Sequence, residues 1–497
     1  MSYGYRLGDR DQLFLLPPSM ADWLEEDHLA YFVIDAVKLI DTSAFHDAHP
    51  GGPGRPAYDP EMLLGLLLYA YATGVRSSRA IMAGCRSDLA YKVIAVNLVP
   101  DHRTIAAFRA ENEVAITSVF VEVLKICDAA GLASLGQIAI DGTKIGSDAG
   151  LDKNRDAAFI RAEIERILGE AATADEAEDA SPQLFDAPLP EPLRRRHSRL
   201  ARLQAALREV EAQEQAAREQ DEERAAHARE EAAAGRKLRG RKPKDPKAAL
   251  ARAEADLEAT MVRAEKAPGG DHGGELEAAR ARVEEARDAV ASGPAASERI
   301  VANITDADSR IMKTKDGWIQ GFNVQASVNA DQVVVAYAAT KDHNDVNQLL
   351  PMIEATRAAA DAVGITGPIG LVLADAGYFS EENATAQGPD RLIATTKDWK
   401  QRRAARELGE TTGPPPEDAT ALEQMEHRLR TAEGAAAYAT RSHTVEPVFG
   451  DTKENRGYRR FMRRGLAAAN SEAGLIFSAH NLLKVFHHNP SVVFSPS

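Results

Sequence analysis

Apolar and polar positions divide the chain into three textures. Through residue 135 the apolar positions recur at helical spacing. Asp59-Pro60 opens PEMLLGLLLYAYATG, with Pro in the first turn and Gly74 at the stop. Ser77 or Ser78 caps SRAIMAGC. Asp101 caps one long helix, HRTIAAFRAENEVAITSVFVEVLKICDAAG, in which Ile105, Phe108, Val114, Ile116, Val119, Phe120, Val123, Leu124 and Cys127 keep the helical period. Arg76, Arg79, Arg86, Arg103 and Arg109 are interspersed. The segment fits a helix-turn-helix-like DNA reader or a plain helical bundle with a polar surface.

Residues 151–300 are rich in Ala, Glu and Arg and nearly devoid of aromatics. Residues 193–234 contain no helix breaker, and Leu200, Leu203 and Leu207 give them only a thin apolar seam. A helix this polar pairs along a narrow stripe or frays. Residues 248–266 can return antiparallel to it, so the pattern predicts an inserted helical hairpin or coiled coil. From residue 300 the texture becomes α/β. SRIMKT, WIQGFNVQASV and QVVVAYAAT read as three antiparallel strands, Asp345–Val363 as an amphipathic helix, and GLVLAD and RLIATTK as further strands. A helix begins between Val445 and Phe449, and Ser471–Phe486 is an amphipathic helix that closes the core.

Composition alters this picture little. Apolar content of 44% and charged content of 27% are ordinary for a globular protein, and no run of 18 apolar residues offers a membrane span. The polar N-terminus lacks a signal-peptide core, and Cys85 and Cys127 read as plain buried thiols, which points to a reducing cytoplasm. A net charge of −15 argues against nucleic acid taken globally, but the acids concentrate between about residues 160 and 290.

Two basic runs stand against that average. Arg236–Lys247, RKLRGRKPKDPK, holds Arg239-Gly240-Arg241-Lys242-Pro243, which resembles an AT-hook whose Arg239 and Arg241 enter a narrow minor groove. The plainer reading is a flexible basic loop on phosphates. Arg456, Arg459, Arg460, Arg463 and Arg464 form the second run, which suits a channel along a DNA backbone or a solvated helix face.

Candidate chemistry lies in three acids. Ile138-Ala139-Ile140 reads as a buried strand ending on Asp141, although Asp-Gly also suits a solvated turn. GLVLAD ends on Asp375. Glu446 follows in HTVEPVFGDTK, seven residues before Lys453 and on the same helical face; Asp451 and Glu454 compete with it. Acids on two neighbouring strands and one helix can hold two divalent ions, and hard oxygen donors favour Mg²⁺ or Mn²⁺.

The order of these segments resembles the DDE transposases of bacterial insertion sequences. IAIDGTKI carries the likeness at the first acid; GFNVQASV, KDHNDVNQLLPMI and LADAGYF at the second; Tyr438-x2-Arg441 and TVEPVFGDTK at the third. LLPPSMADWL, DHLAYFV, RPAYDPEMLLGLLLYAYATGVRSSR and PDHRTIAAFR resemble the N-terminal domain of these enzymes. The resemblance implies an RNase H-like α/β core at residues 136–150 plus 300–488, an all-α domain at 1–135 for DNA end binding or assembly, and a helical insertion at 151–299. It implies Asp141, Asp375 and Glu446 as catalytic and metal-binding residues for two Mg²⁺ or Mn²⁺ ions. Lys144, Arg441 and Lys453 would meet phosphate oxygens. Tyr438, Arg441, Glu446 and Lys453 follow the family's tyrosine–arginine–glutamate–lysine signature, but four residues rather than three separate Arg441 from Glu446. The implied partners are double-stranded DNA, at element ends and target, and further copies in a homodimer or larger synaptic assembly, with no membrane and a nucleoid-associated place in a bacterial cytoplasm. A catalytically inactive DNA-binding or assembly protein of transposase origin, and a nuclease without strand transfer, are the competing readings.

Overall fold

The computed structural model describes residues 20–47, 57–179, 191–234, 246–266, 273–292, 300–396 and 409–494. They form two compact units, one of residues 1–148 and 311–497, the other of residues 149–310. The described residues are mostly helical, with a six-stranded mixed sheet in the first unit and a two-stranded one in the second.

The larger sheet is built on β1 (Gln137–Gly146). Ile138, Ala139 and Ile140 are fully buried on both faces, as a central strand with a parallel neighbour requires. Short β2 (Asn154–Arg155) and β3 (Ala302–Asn303) pair with each other in the second unit. Beyond them come β4 (Arg310–Thr314), β5 (Gly317–Asn329), β6 (Val334–Thr340), β7 (Leu371–Ala374) and β8 (Asp390–Ile393). β5 runs antiparallel to β1 from Asn329 opposite Ile138 to Gly321 opposite Gly146. β7 lies parallel on the other edge of β1, from Leu371 opposite Gln137 to Ala374 opposite Ile140, and β8 is parallel to β7. β4 and β6 also pair with β5. The three strands expected after residue 300 are present.

β1 does not stop at Asp141 as its sequence suggests. GTKIG continues the strand because β5 supplies a partner for every residue of it, and that pairing outweighs the local Asp-Gly turn signal. The pairing with β7 ends one residue before Asp141. Asp141 is therefore uncovered on one edge while its strand continues.

The helix Leu466–His488 packs on β6, on Pro60–Ala72 and on Glu113–Ala129, so the N-terminal helices and the sheet share one continuous apolar core. Asn481 in that helix is fully buried and acts as a surrogate strand: its Oδ1 accepts from Val334 N at 2.9 Å and its Nδ2 donates to Val334 O at 2.8 Å. Asn470 Oδ1 takes Ala339 N at 3.0 Å, so the outer edge of β6 is partly capped by side chains. The single long helix expected after Asp101 is two helices, His102–Glu111 and Glu113–Ala129. The break is Asn112, a buried residue at φ −114° and ψ 32° whose Nδ2 bonds Phe108 O at 2.9 Å. An Asn side chain that satisfies the backbone locally competes with helix continuation.

In the second unit Ala157–Asp179 and Pro246–Lys266 both pack on Glu191–Ala233, and Gly273–Ser292 packs on Pro246–Lys266. Of the thin seam only Leu203 is buried: with Ala206 and Val210 it closes against Ile160 and Ile167, while Leu200 and Leu207 stay half-buried. Ala228, Ala232, Ala255 and Ala259 form a second small contact, where small side chains let helices approach closely.

Candidate functional site

Where β7 ends, the edge of β1 is exposed from Asp141 until Gly146. There the segment Arg459–Phe461 takes it up: Gly146 N donates to Arg459 O at 3.0 Å and Phe461 N to Gly146 O at 2.7 Å. The result is a notch in the sheet. Asp141 lies at its start, and Asp375, the residue after β7, lies beside it on the neighbouring strand. Asp375 turns the chain, with Oδ1 accepting from Gly377 N at 2.7 Å and its carbonyl accepting from Tyr378 N at 3.1 Å.

Three successive helices, Ala421–Arg430, Ala432–Ala439 and Arg441–Gly450, bring the third acid. Tyr438 OH donates to Ala374 O at 3.2 Å, at the last residue of β7. Three residues on, Arg441 Nη2 donates to Asp141 Oδ2 at 2.6 Å, and its Nη1 lies 3.7 Å from Glu446 Oε1. Arg441 therefore reaches both acids although the spacing between it and Glu446 is one residue longer than the signature. Pro447 lies inside the helix and leaves the carbonyl four residues earlier without its usual donor. That carbonyl, of His443, accepts instead from Gln332 Nε2 at 2.7 Å, in the β5–β6 turn.

Sequence reasoning placed Lys453 two α-turns after Glu446, on the same face. The α-helix gives way to a π-turn at Asp451–Asn455, whose wider winding changes the phase before Lys453. Burial lowers the Lys453 pKa, and the charges that weigh on it are Arg459, Glu454, Lys315 and Asp316.

Burial pushes the Asp141 carboxyl up to about 6; Arg441 opposes the rise, and the nearby charges of Asp375 and Asp345 add to it. The site holds a concentration of negative charge with one guanidinium inserted. Asp451 and Glu454, the alternatives to Glu446, are engaged elsewhere: Asp451 with Arg456 at 2.7 Å and His480 at 3.5 Å, Glu454 with Arg459. The rest of the second basic run also meets acids. Arg460 and Arg464 share Asp148, at 2.6 and 3.0 Å, and Arg463 pairs with Glu113. Arg109 is buried and spends its guanidinium on Tyr71 OH, Arg76 O and Ser78 Oγ, so it braces the helices rather than facing outward. Arg239 and Arg241 lie outside the described residues.

Four polar residues that sequence reasoning did not single out, Asp345, Asn323, Gln325 and Tyr378, form a cluster along β1 past Asp141, close enough for the Asp345 charge to act on it. Asp345 Oδ1 accepts from Asn323 Nδ2 at 2.7 Å and Gln325 Nε2 at 2.9 Å, and lies 3.5 Å from Lys144 Nζ. Gln325 Oε1 accepts from Tyr378 OH. Gly142 makes room for them, since a Cβ there would fall 2.7 Å from Asp345 Oδ1. The available signal was the alternation of Asn323 and Gln325 with apolar residues in GFNVQASV: polar side chains at the positions of a core strand need a partner.

Asp141, Asp375 and Glu446 offer hard oxygen donors of the type that suits Mg²⁺ or Mn²⁺. Among the described residues no three acidic, histidine or cysteine side chains are already gathered as a ligand cluster, and Arg441 lies where it neutralises Asp141 and approaches Glu446. The donor chemistry fits a divalent ion. Among the described residues no helix is long and apolar enough to cross a membrane.

No curated relative and no solved structure matches the chain. Two family models do: a transposase domain (DUF772) over residues 18–111, which spans the N-terminal helices, and a transposase DDE domain over residues 415–486, which contains the Tyr438–Lys453 stretch and most of the closing helix. With one match at each end of the chain, the two family models support an insertion-sequence DDE transposase.

Proposed function

We propose that the protein cleaves phosphodiester bonds at the ends of its insertion sequence and joins the freed 3′ ends to target DNA. The observation that carries this reading is the convergence of Asp141, Asp375 and the Arg441–Gly450 helix at the point where β7 stops and β1 continues. The strand order supports an RNase H-like core: a central strand with an antiparallel neighbour on one side, two parallel strands on the other, and a helical acid brought back over the first. Tyr438, Arg441, Glu446 and Lys453 support placement in the tyrosine–arginine–glutamate–lysine branch.

Asp141, Asp375 and Glu446 would hold two Mg²⁺ or Mn²⁺ ions. When bound, such ions lower the pKa of an attacking water or 3′-OH and stabilise charge on the leaving oxygen. The chain's own groups do the rest. Tyr438 ties the helix to the end of β7, and Arg441 orients the carboxylates and, once they are otherwise neutralised, is free to turn to phosphate. Lys144 and Lys453 are further phosphate contacts, and Arg459, Arg460, Arg463 and Arg464 extend the DNA path; Arg456, expected with them, is instead buried against Asp451 and His480 and braces the fold. Residues 1–135 serve end binding or assembly, 136–150 and 300–488 catalysis, and 151–299 carries the AT-hook-like Arg239 and Arg241 and offers a surface for pairing copies into a synapse. The test is incubation of the purified protein with Mg²⁺ and the DNA flanking its own gene. Nicks at the element ends are expected; end binding with no nicking in Mg²⁺ or Mn²⁺ would instead identify a DNA-binding protein without catalysis.

A further inference from the structure

Lys144 lies three residues along β1 from Asp141 and therefore on the opposite face of the sheet, where Gly142 and Lys144 stand across from Gln325 and Asn323. Both amides are fully buried there. Buried amides in a core strand cost stability unless each polar atom has a partner, so a strand selected for stability alone would carry apolar residues at these positions. Here both amides donate to one carboxylate oxygen, Asp345 Oδ1, and Lys144 Nζ approaches the same oxygen at 3.5 Å. Asn323 Oδ1 is left buried and without a hydrogen bond, so the cluster holds Asp345 in place at some cost to itself. Gly142 is part of the arrangement, because a side chain there would collide with Asp345 and both amides.

Two further contacts tie the cluster to the site. Tyr378 donates to Gln325 and is itself three residues past Asp375, with its backbone N on the Asp375 carbonyl. Lys144 shares β1 with Asp141 and keeps about a sixth of its side chain exposed, at 17%. A lysine has a long flexible stem and loses much rotamer freedom when it meets a phosphate. A half-buried carboxylate that already holds the ammonium removes that loss beforehand.

We propose that Asp345 is a positioning residue for the reaction: anchored by Asn323 and Gln325, it holds Lys144 on the stretch of β1 past Asp141 that β7 leaves unpaired, where a DNA strand running through the notch presents its next phosphate. This rests on the reading of the notch as the phosphodiester site. Asp345 touches no reacting atom. It acts through Lys144.

The test is a double-variant cycle of Asp345→Asn, Lys144→Met and both together, in the full-length protein. Asn keeps an acceptor for the two amides and removes the charge that holds the lysine. Three quantities are read: the single-turnover nicking rate in Mg²⁺, the affinity for element-end DNA in Ca²⁺, and the melting temperature. We expect Asp345→Asn to slow nicking on the order of tenfold to a hundredfold, with melting little changed and end affinity lowered no further than in Lys144→Met. In the Lys144→Met background the Asp345 change should then add almost nothing. A wild-type rate in Asp345→Asn, or losses that simply multiply in the double variant, overturns the proposal. If Asp345→Asn does not fold, Lys144→Met carries the test: slowed nicking at saturating DNA with an unchanged melting temperature supports it, and a wild-type rate overturns it. Asp141→Asn is run alongside. Should that variant also nick at the wild-type rate, the assignment of the notch has failed rather than the role of Asp345.

Discussion

Arg441 Nη2 lies 2.6 Å from Asp141 Oδ2, across 300 residues of sequence, and both side chains are largely shielded from water. A guanidinium at that distance makes a charge-assisted hydrogen bond, stronger than a neutral one. It lies where positive charge is most needed, between a carboxyl on the central strand and Glu446 on the returning helix.

The first prediction follows from that pair. Asp141 has its pKa raised in the fold from 3.8 to about 6, chiefly by burial, so the folded protein holds this proton more tightly than the unfolded chain. Its contribution to stability is therefore complete below the unfolded value and fades as pH rises through about 6. Arg441→Met removes the charge that limits this loss. Stranding a buried charge costs about 3–5 kcal/mol when the group cannot take up a proton. At pH 8 Arg441→Met should therefore melt several degrees below the wild type, and at pH 5, where the carboxyl is neutral, the difference should be much smaller. Equal losses at the two pH values would show that the pair does not matter electrostatically.

The second prediction concerns the acids. Asp141→Asn, Asp375→Asn and Glu446→Gln should each slow Mg²⁺-dependent nicking by roughly a thousandfold, the loss expected for several kcal/mol of transition-state stabilisation. End binding should persist in all three. Glu446 is 60% exposed and lies 3.7 Å from Arg441, so its substitution should leave melting unchanged and separate catalysis from folding most cleanly. An active variant at any position removes that residue from the site.

Much of this arrangement could be read from the chain, and the parts that could not have physical reasons. Strands such as Leu371–Ala374 announce themselves because a buried strand is a short apolar run bounded by turn residues. The second half of β1 is hidden because Gly142, Thr143 and Lys144 have no strand signal of their own; only pairing with β5, nearly two hundred residues away, makes them a strand. In the sequence Asp345 stands only within KDHNDVNQLLPMI and at a helix start. Its importance depends on Asn323, Gln325 and Lys144 arriving from two other strands, and no local pattern encodes that. The phase of Lys453 failed for a local reason, since a π-turn inserted after Gly450 cannot be told from continued α-helix by spacing.

The third prediction is about what holds the sheet under the site. Asn481 supplies both a donor and an acceptor to Val334 on the outer edge of β6, from a fully buried position. Asn481→Leu keeps the branching and heavy-atom count of the side chain but leaves a backbone N–H and a carbonyl buried without partners. Each such orphan costs about 1–3 kcal/mol, so the variant should be destabilised by several kcal/mol in urea titration. Asn481→Asp retains the acceptor but introduces a buried charge, and should be no better. A loss below about 1 kcal/mol in Asn481→Leu would mean that water replaces the side chain at this edge.

The fourth prediction addresses DNA. Asp148 receives Arg460 Nη2 at 2.6 Å on one carboxylate oxygen and Arg464 Nη2 at 3.0 Å on the other, and its carbonyl takes Arg464 Nε at 3.0 Å. Two guanidiniums four residues apart hold this carboxylate much as they would hold a phosphate. The groups are partly exposed, so the pairs add at most about 1 kcal/mol to stability, and Asp148→Ala should melt close to the wild type. Its effect should appear in binding. With the competing carboxylate gone, both arginines can neutralise backbone phosphates, and duplex affinity at low salt should rise several-fold. The dependence of log affinity on log salt should steepen by roughly one to two units, while replacing Arg460 and Arg464 with Ala should flatten it by a similar amount. Opposite changes of slope in the two variants place this arginine pair on the DNA path. An unchanged slope in both would assign the run to bracing Asp148 and the end of β1 instead.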